Sequence, residues 1–300
     1  MAAFLAFVGM VDSELQSCVI MNHLSPFLRL RGKDELAARA VQTGKIVDNL
    51  ALKQAHSDML RALAALAGLA LPLAPAAAIV GDAGPADAVI ARYAVMFFSS
   101  RGACTGAVLA QDLVLTAAHC TVGAANFKFV GHSVAQLQLT DVANVAPHPQ
   151  FNPEPPPARA TADIALLKLF KPLPARFAPA FLAARPVAVG DRLIVVGYGT
   201  AVQGDVWSGG TARMATLTVA GRSDHELILT DPSAYGEGSK LGACHGDSGA
   251  PVFTTRGGVP ALIGVVSRGG CGVMTSAVPL VRHRDWLMET ARTLGSSLDP

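Results

Sequence analysis

Ala243-Cys244-His245-Gly246-Asp247-Ser248-Gly249-Ala250-Pro251, near the C-terminal end of the chain, sets a serine among glycines. Backbone N–H groups around such a serine can point at the oxygen of a carbonyl under attack. A serine hydroxyl is a weak nucleophile and needs a base to take its proton. Two upstream segments supply what it lacks. Thr116-Ala117-Ala118-His119-Cys120 carries a histidine, whose ordinary pKa of about 6.5 suits proton transfer. Asp163-Ile164-Ala165-Leu166-Leu167 carries a carboxylate at the head of an apolar run. Taken alone, His119 reads as a packed histidine at a strand end, and Asp163 as a cap or a surface charge. Taken together they form the ordered set His, Asp, Ser, at separations of 44 and 85 residues.

This set resembles the catalytic signatures of the trypsin/chymotrypsin-like serine proteases, in that family's chain order. Cys104-Thr105-Gly106-Ala107-Val108-Leu109 is similar to the family's strand before the base. His148-Pro149-Gln150-Phe151-Asn152 is similar to a loop before its aspartate, and Val196-Gly197-Tyr198-Gly199-Thr200 to its Gly-aromatic-Gly strand. The resemblance covers about residues 79–300. It implies His119 as general base, Asp163 as the group orienting it, Ser248 as nucleophile, and the N–H groups of Gly246 and Ser248 as an oxyanion hole. Ser267 matches a serine that hydrogen-bonds the aspartate. His148 is expected to be structural, and His245 to border the site; His132, His225 and His283 have no partner signature. Protein or peptide substrates are implied, with no cofactor.

Composition agrees with many short strands. Among 300 residues there are 29 glycines and 19 prolines, which favour turns over long helices. Residues 79–300 carry 17 Lys/Arg against 16 Asp/Glu, leaving no basic stripe for nucleic acid. Six strands are expected in a first half: Ala94–Phe98, Gly106–Leu109, Leu113–Ala117, Phe127–Val130, Val134–Leu139 and Ile164–Leu169. A second half follows with Leu193–Gly197, Arg213–Val219, Glu226–Thr230, Pro251–Thr255, Leu262–Ser267 and Val273–Ala277. Pro153–Pro157 reads as a stiff loop and Leu173–Arg185 as the connection between halves. Trp286, Leu287, Thr290, Ala291 and Leu294 then fall on one helical face. The expected fold is all-β: two six-stranded antiparallel β-barrels of the chymotrypsin type with a C-terminal helix, acting as a monomer.

Four of the five cysteines lie in this region, and four allow three connectivities. The family resemblance implies Cys104–Cys120 and Cys244–Cys271. Closing the first loop contributes about 3 kcal/mol, mostly by restricting the unfolded chain. No C-x-x-C pair or histidine cluster accompanies them, so no metal is expected. Cys18 lies outside the domain.

Residues 62–78 form an alanine- and leucine-rich run ending in Ala76-Ala77-Ala78, preceded by Met59, Leu60 and Arg61. A charged start, a short apolar core and a small-residue cleavage site make a secretory signal peptide over residues 59–78. If residues 60–80 stayed uncleaved they would instead serve as a membrane anchor, although Pro72 and Pro75 weaken a span. Residues 1–58, with six basic and six acidic residues and no motif, are expected to be an extension absent from the secreted protein. The domain is then 79–300, and its location secreted or periplasmic. Ile79-Val80-Gly81-Asp82 resembles the family's activating N-terminus. The resemblance implies an ion pair between a freed Ile79 ammonium and Asp247.

Specificity is read from Gly242, which stands where tryptic enzymes place an aspartate, with Ala243 beside it. Ser267-Arg268-Gly269 and Gly272-Val273-Met274 are expected as walls, whose glycines leave the pocket open. An open, uncharged pocket admits apolar or aromatic side chains rather than Lys or Arg. Arg268 replaces a usual aromatic and could attract acidic substrates. A third disulfide common in animal members is missing, so the chain looks like a compact bacterial-type member. Two rival readings are a binding protein that keeps the fold without the chemistry, and a membrane-anchored protease.

Overall fold

A computed structural model describes residues 79–298 apart from 82, 131–138, 155–161, 234–240 and 257. The expected extension, the signal peptide with its rival anchor, and most of the Val134–Leu139 strand lie outside the described residues, as does the Pro155–Pro157 end of the stiff loop.

Strand β1 (Gly84–Pro85) and a single helical turn, α1 (Ala88–Ala91), precede the first barrel. It contains β2 (Ala94–Ser99), β3 (Gly102–Ala110), β4 (Leu113–Thr116), β5 (Lys128–Val130), β6 (Leu139–Thr140), β7 (Val142–Pro147) and β8 (Ala165–Leu169). The second barrel is built from β9 (Phe181–Leu182), β10 (Arg192–Gly197), β11 (Arg213–Arg222), β12 (Leu227–Thr230), β13 (Pro251–Thr254), β14 (Ala261–Gly269) and β15 (Thr275–Pro279). Helix α2 (Arg284–Thr293) follows.

Both sheets close on themselves. In the second, the order β11-β10-β13-β14-β15-β12 returns to β11 through a direct β11–β12 pairing, a ring of six antiparallel strands. In the first, β6 pairs with β5 and β7 with β8, and only Asp141 separates β6 from β7. The run 139–147 is thus one bent strand that closes six around, with an ion pair from Lys128 to Asp141 beside the bend. Among the described residues closure leaves no long free edge for other chains to pair with.

Alternating side chains divide the core into three parts. Val114 and Leu167 point into the first barrel, against Val95, Phe97, Val108 and Phe129. Leu113, Leu115 and Leu166, on the opposite faces of the same strands, pack against Val196, Phe253, Leu262 and Val265 of the second barrel. Strands buried on both faces read as unbroken apolar runs, which is why β4 and β8 were legible. Leu193, Leu217, Leu229, Val252 and Ile263 fill the second barrel, and Ile79 joins them. Helix α2 adds Leu287 and Ala291 to the layer between the barrels. Lys168 of β8 holds its far end, donating to Asp112 Oδ2 (2.6 Å) and to the Gly295 carbonyl (3.2 Å).

Two elements differ from the sequence expectation. The sixth strand of the first barrel runs through Val142–Pro147, where Asn144, Pro147 and mostly exposed positions hide the strand pattern. Leu173–Arg185 contains β9, a two-residue strand parallel to the start of β14. The pairing is too short to leave a period in the sequence.

A histidine pair sits at the base of α2. The Gln150 N–H donates to His148 Nδ1 (3.1 Å), so His148 carries its proton on Nε2, facing His283 Nδ1 at 3.2 Å. His283 Nε2 then carries a proton, buried without a partner among the described residues. Burial, with His148, His225 and Arg282 nearby, pushes the His283 pKa down to about 4. An unfolded His283 takes up a proton at about pH 6.5 whereas the folded one stays neutral, so acid favours the unfolded chain. Relative to His283→Phe, the unfolding free energy should therefore fall as pH drops from about 6.5 to about 4, and be flat above 7. Denaturant titrations across that range measure the slope.

Candidate active site

Three loops meet where the barrels touch. His119 lies in a 3-10 turn, Ala118–Cys120, directly after β4, and Asp163 lies just before β8; both belong to the first barrel. Ser248 precedes β13 of the second. His119 Nδ1 stands 2.7 Å from Asp163 Oδ2, and His119 Nε2 stands 2.9 Å from Ser248 Oγ. Asp163 Oδ1 also accepts the His119 backbone N–H (2.9 Å), and Oδ2 accepts Ser267 Oγ–H (2.6 Å). Burial by itself would push the Asp163 carboxyl up. The bonds from His119 and Ser267, with the imidazole alongside, outweigh it and hold the pKa below the usual value. An ionised Asp163 can only accept, so Nδ1 carries the imidazole proton and Nε2 is left to accept from Ser248. The four residues that the sequence scatters over 149 positions are thus joined in one line of hydrogen bonds.

The loop presenting Ser248 is tied from below. Gly246 has φ +93° and Gly249 φ +80°, conformations that side chains with a Cβ rarely adopt. A methyl on Gly249 would fall 2.0 Å from Thr116 Oγ1 and 2.3 Å from the Thr105 carbonyl. Among the described residues the N–H groups of Gly246 and Ser248 have no acceptor within the chain. Thr105, fully buried in β3, makes the connection to the first barrel. Its N–H donates to the Ser248 carbonyl (2.9 Å) and its hydroxyl to the Gly246 carbonyl (2.8 Å), while Oγ1 accepts the Tyr198 N–H (3.2 Å). The disulfides Cys104–Cys120 and Cys244–Cys271 brace the two sides. Cys244, His245 and Cys271 also lie close together, but the two sulfurs are bonded to each other and offer no thiolate to a metal.

Above this line opens a cleft of about 1350 Å³, lined among others by Phe98, Trp207, His119, Ser248 and Arg268. His245, Ser267, Arg268 and Gly269 line it. Gly242, Ala243 and Gly272 do not; they are buried behind it. Among the described residues the walls expected to leave an open pocket touch. The Cys271 N–H donates to the Ala243 carbonyl (3.1 Å), and a methyl on Gly269 would stand 2.1 Å from that same oxygen. Thr275 closes the base: its Oγ1 accepts the Ala243 N–H (2.9 Å) and would lie 3.3 Å from a methyl on Gly242. Glycines on facing walls permit an open pocket, but they equally permit backbones to come together. Here the short loop 269–272, pulled in by the Cys244–Cys271 bridge, takes the second course.

Ile79 is fully buried and has a φ of +61°, strained for a β-branched residue. The next residue, Val80, accepts the Gly242 N–H at 3.3 Å. Asp247 is also fully buried. Its oxygens accept the N–H groups of Gly199 (2.8 Å) and Cys244 (2.9 Å), and no basic side chain pairs with it among the described residues. Burial pushes its carboxyl up to about 7, against the opposing pull of those two bonds. In this chain the Ile79 nitrogen is still an amide joined to Ala78, so it brings no charge to Asp247.

Several contributors escaped the sequence reading. Thr105 and Thr275 carry no mark beyond a place in or beside a strand, and neither Glu226, which pairs with Arg268, nor Ser276, which donates to Glu226, belongs to a motif. A lone threonine in the apolar run after Cys104 was the only visible signal for the first.

A family model described as Trypsin matches residues 79–287. The vitellin-degrading protease of Bombyx mori is 31% identical over 250 residues, covering 72% of this chain and 88% of that protein. Human kallikrein-11 is 27% identical over 217 residues, covering 66% and 75%. Rat serine protease 1 is 28% identical over 218 residues, covering 66% and 84%. Among solved structures, mouse neuropsin shares the fold with a TM-score of 0.58 at 22% identity, covering 70% of this chain and 98% of that one. The chain belongs to the trypsin family of serine proteases. It is a serine endopeptidase, a hydrolase acting on peptide bonds. These relatives are mammalian and insect proteins and give no support to the bacterial-type assignment.

Replacing Thr105 by valine keeps its shape but leaves the Gly246 carbonyl and the Tyr198 N–H unpaired. Stability should fall by about 1–3 kcal/mol. Turnover of a small ester should fall about tenfold or more, the loss expected when an oxyanion donor is misplaced. Thermal melts and steady-state rates measure the two effects separately.

Proposed function

We propose that the chain is a secreted or periplasmic endopeptidase that works through an acyl-enzyme on Ser248, with a preference for small, uncharged residues at the scissile bond. The observation that carries this reading is the line Asp163–His119–Ser248, at 2.7 and 2.9 Å, beside two backbone N–H groups with no internal acceptor. Ser248 Oγ attacks the substrate carbonyl as its proton passes to His119 Nε2. The carbonyl oxygen gathers negative charge against the Gly246 and Ser248 N–H groups, each donor contributing about 3 kcal/mol. The C–N bond breaks and His119 hands its proton to the leaving amine. Water then repeats the sequence on the ester. Asp163 keeps the imidazole in the required tautomer and stabilises it when charged.

The specificity reading rests on the closed walls. Gly269 against Ala243, and Thr275 beneath them, leave no depth for an aromatic or a long cationic side chain, and no carboxylate waits there to pair with one. Alanine, glycine, serine and valine fit such a site.

The start of the domain supports a further part of the reading: removal of residues 59–78 by signal peptidase itself creates the active N-terminus. Cleavage after Ala78 would turn the Ile79 amide into an ammonium. The Asp247 carboxylate, held up at about 7 without a counter-charge, is the natural partner. Among the described residues no helix is long and apolar enough to cross a membrane.

Three outcomes are expected. A fluorophosphonate should label Ser248, and Ser248→Ala or His119→Ala should abolish labelling; folded, processed protein that stays unlabelled would favour a binding protein. N-terminal sequencing of the active form should read Ile-Val-Gly-Asp, and any other start removes the proposed processing. In a peptide library, cleavage after Ala or Val should exceed cleavage after Phe, Lys or Arg, and the reverse order defeats the pocket assignment.

A further inference from the structure

We infer that Arg268 is a specificity-determining residue that receives an acidic side chain of the substrate, on the acyl side of the scissile bond. This rests on the protease reading above and adds the substrate class to it.

The placement follows from the strands. On its β13 side, β14 is paired only as far as Val265, opposite Pro251. The Val266 N–H then bonds the Ala250 carbonyl and the Gly249 N–H bonds the Val266 carbonyl, after which the two chains part. Past a bulge at Ser267, Arg268 and Gly269 keep partners on the β15 side, opposite Ser276 and Thr275, and residues 267–269 line the cleft. An extended peptide can add there as one more strand. The leaving amine takes its proton from His119, on the first barrel. The half of the substrate retained on Ser248 therefore lies along this second-barrel edge, past Arg268.

The charge that such a peptide meets is a cation. Arg268 Nη2 is 3.3 Å from Glu226 Oε1, and the same oxygen accepts the Ser276 hydroxyl. The two members of the pair are not equivalent: the Arg268 side chain is 66% exposed, and that of Glu226 27%. Glu226, fixed by Ser276, is the inner anchor, and the guanidinium is the outer group. Among the described residues one of its five N–H donors is committed, to Glu226, which leaves a fork free for a second carboxylate. So exposed a pair contributes little to folding, and the fold does not require it. The other carboxylate lining this part of the cleft, Asp163, is taken up by His119 and Ser267. A lysine or arginine of the substrate would meet the more exposed Arg268 before Glu226. Because the primary site is shallow and uncharged, discrimination has to come from further along the edge.

Matched peptides test this, with alanine before the scissile bond and either aspartate or asparagine at the two to four positions upstream. The protein is purified after expression of the full chain. Wild type should favour aspartate in kcat/KM by about tenfold at low salt, and by less as salt screens the pair. Arg268→Gln should bring the ratio to about one and Arg268→Glu should invert it. Glu226→Gln, which removes the competing carboxylate, should keep or raise it. Equal rates on both peptides in wild type overturn the inference and leave the protease intact. A loss in Arg268→Gln that is equal for both peptides makes the residue structural and also overturns it. No cleavage of any peptide, together with no fluorophosphonate labelling of Ser248, overturns the protease reading, and this inference with it.

Discussion

A single buried carboxylate organises the site. Asp163 accepts three hydrogen bonds, two from His119 of its own barrel and one from Ser267 of the other. Left unpaired, a carboxylate so far from water would be costly. Its need for donors therefore fixes the ring orientation of His119 and the approach of β14 together. Leu115 and Leu166 pressing on Val265 and Leu262 bring the barrels close, but apolar packing is non-directional and tolerates small slips. The hydrogen bonds to Asp163 remove that tolerance.

Much of this was legible in the chain. His119, Asp163 and Ser248 stood in short segments that say little singly and point to proton transfer and nucleophilic attack only as an ordered set. The strands around them were buried on two faces and so read as apolar runs. What stayed hidden depended on contacts that no local pattern encodes. Thr105 acts on Gly246, 141 residues away, and a threonine in a strand has no mark that distinguishes it from any other. Val142–Pro147 closes a barrel with a half-exposed, proline-ended sequence. The pocket is a more instructive case: glycines in the walls predict space, whereas here the missing side chain of Gly269 lets facing backbones meet.

The two histidines beneath α2 and the aspartate beside Ser248 carry opposite tendencies. Acid is resisted by a neutral, buried His283, and its uptake of a proton works against the fold. Asp247, buried without a cation, is relieved by taking one up. In the unprocessed chain these slopes oppose each other over overlapping pH. Under the proposed processing, a new ammonium at Ile79 would remove the second and leave the first, so that the mature protein would be the more acid-sensitive in slope while having its carboxylate paired.

The bond from His119 to Ser248 spans the seam between the barrels, with a donor–acceptor distance of 2.9 Å and little slack. It makes that seam a kind of gauge. Sliding one barrel on the other would part this pair while each disulfide, lying within its own barrel, stayed intact. Under the proposed mechanism, a wedge along the Leu115–Val265 layer would then interrupt proton transfer without entering the cleft.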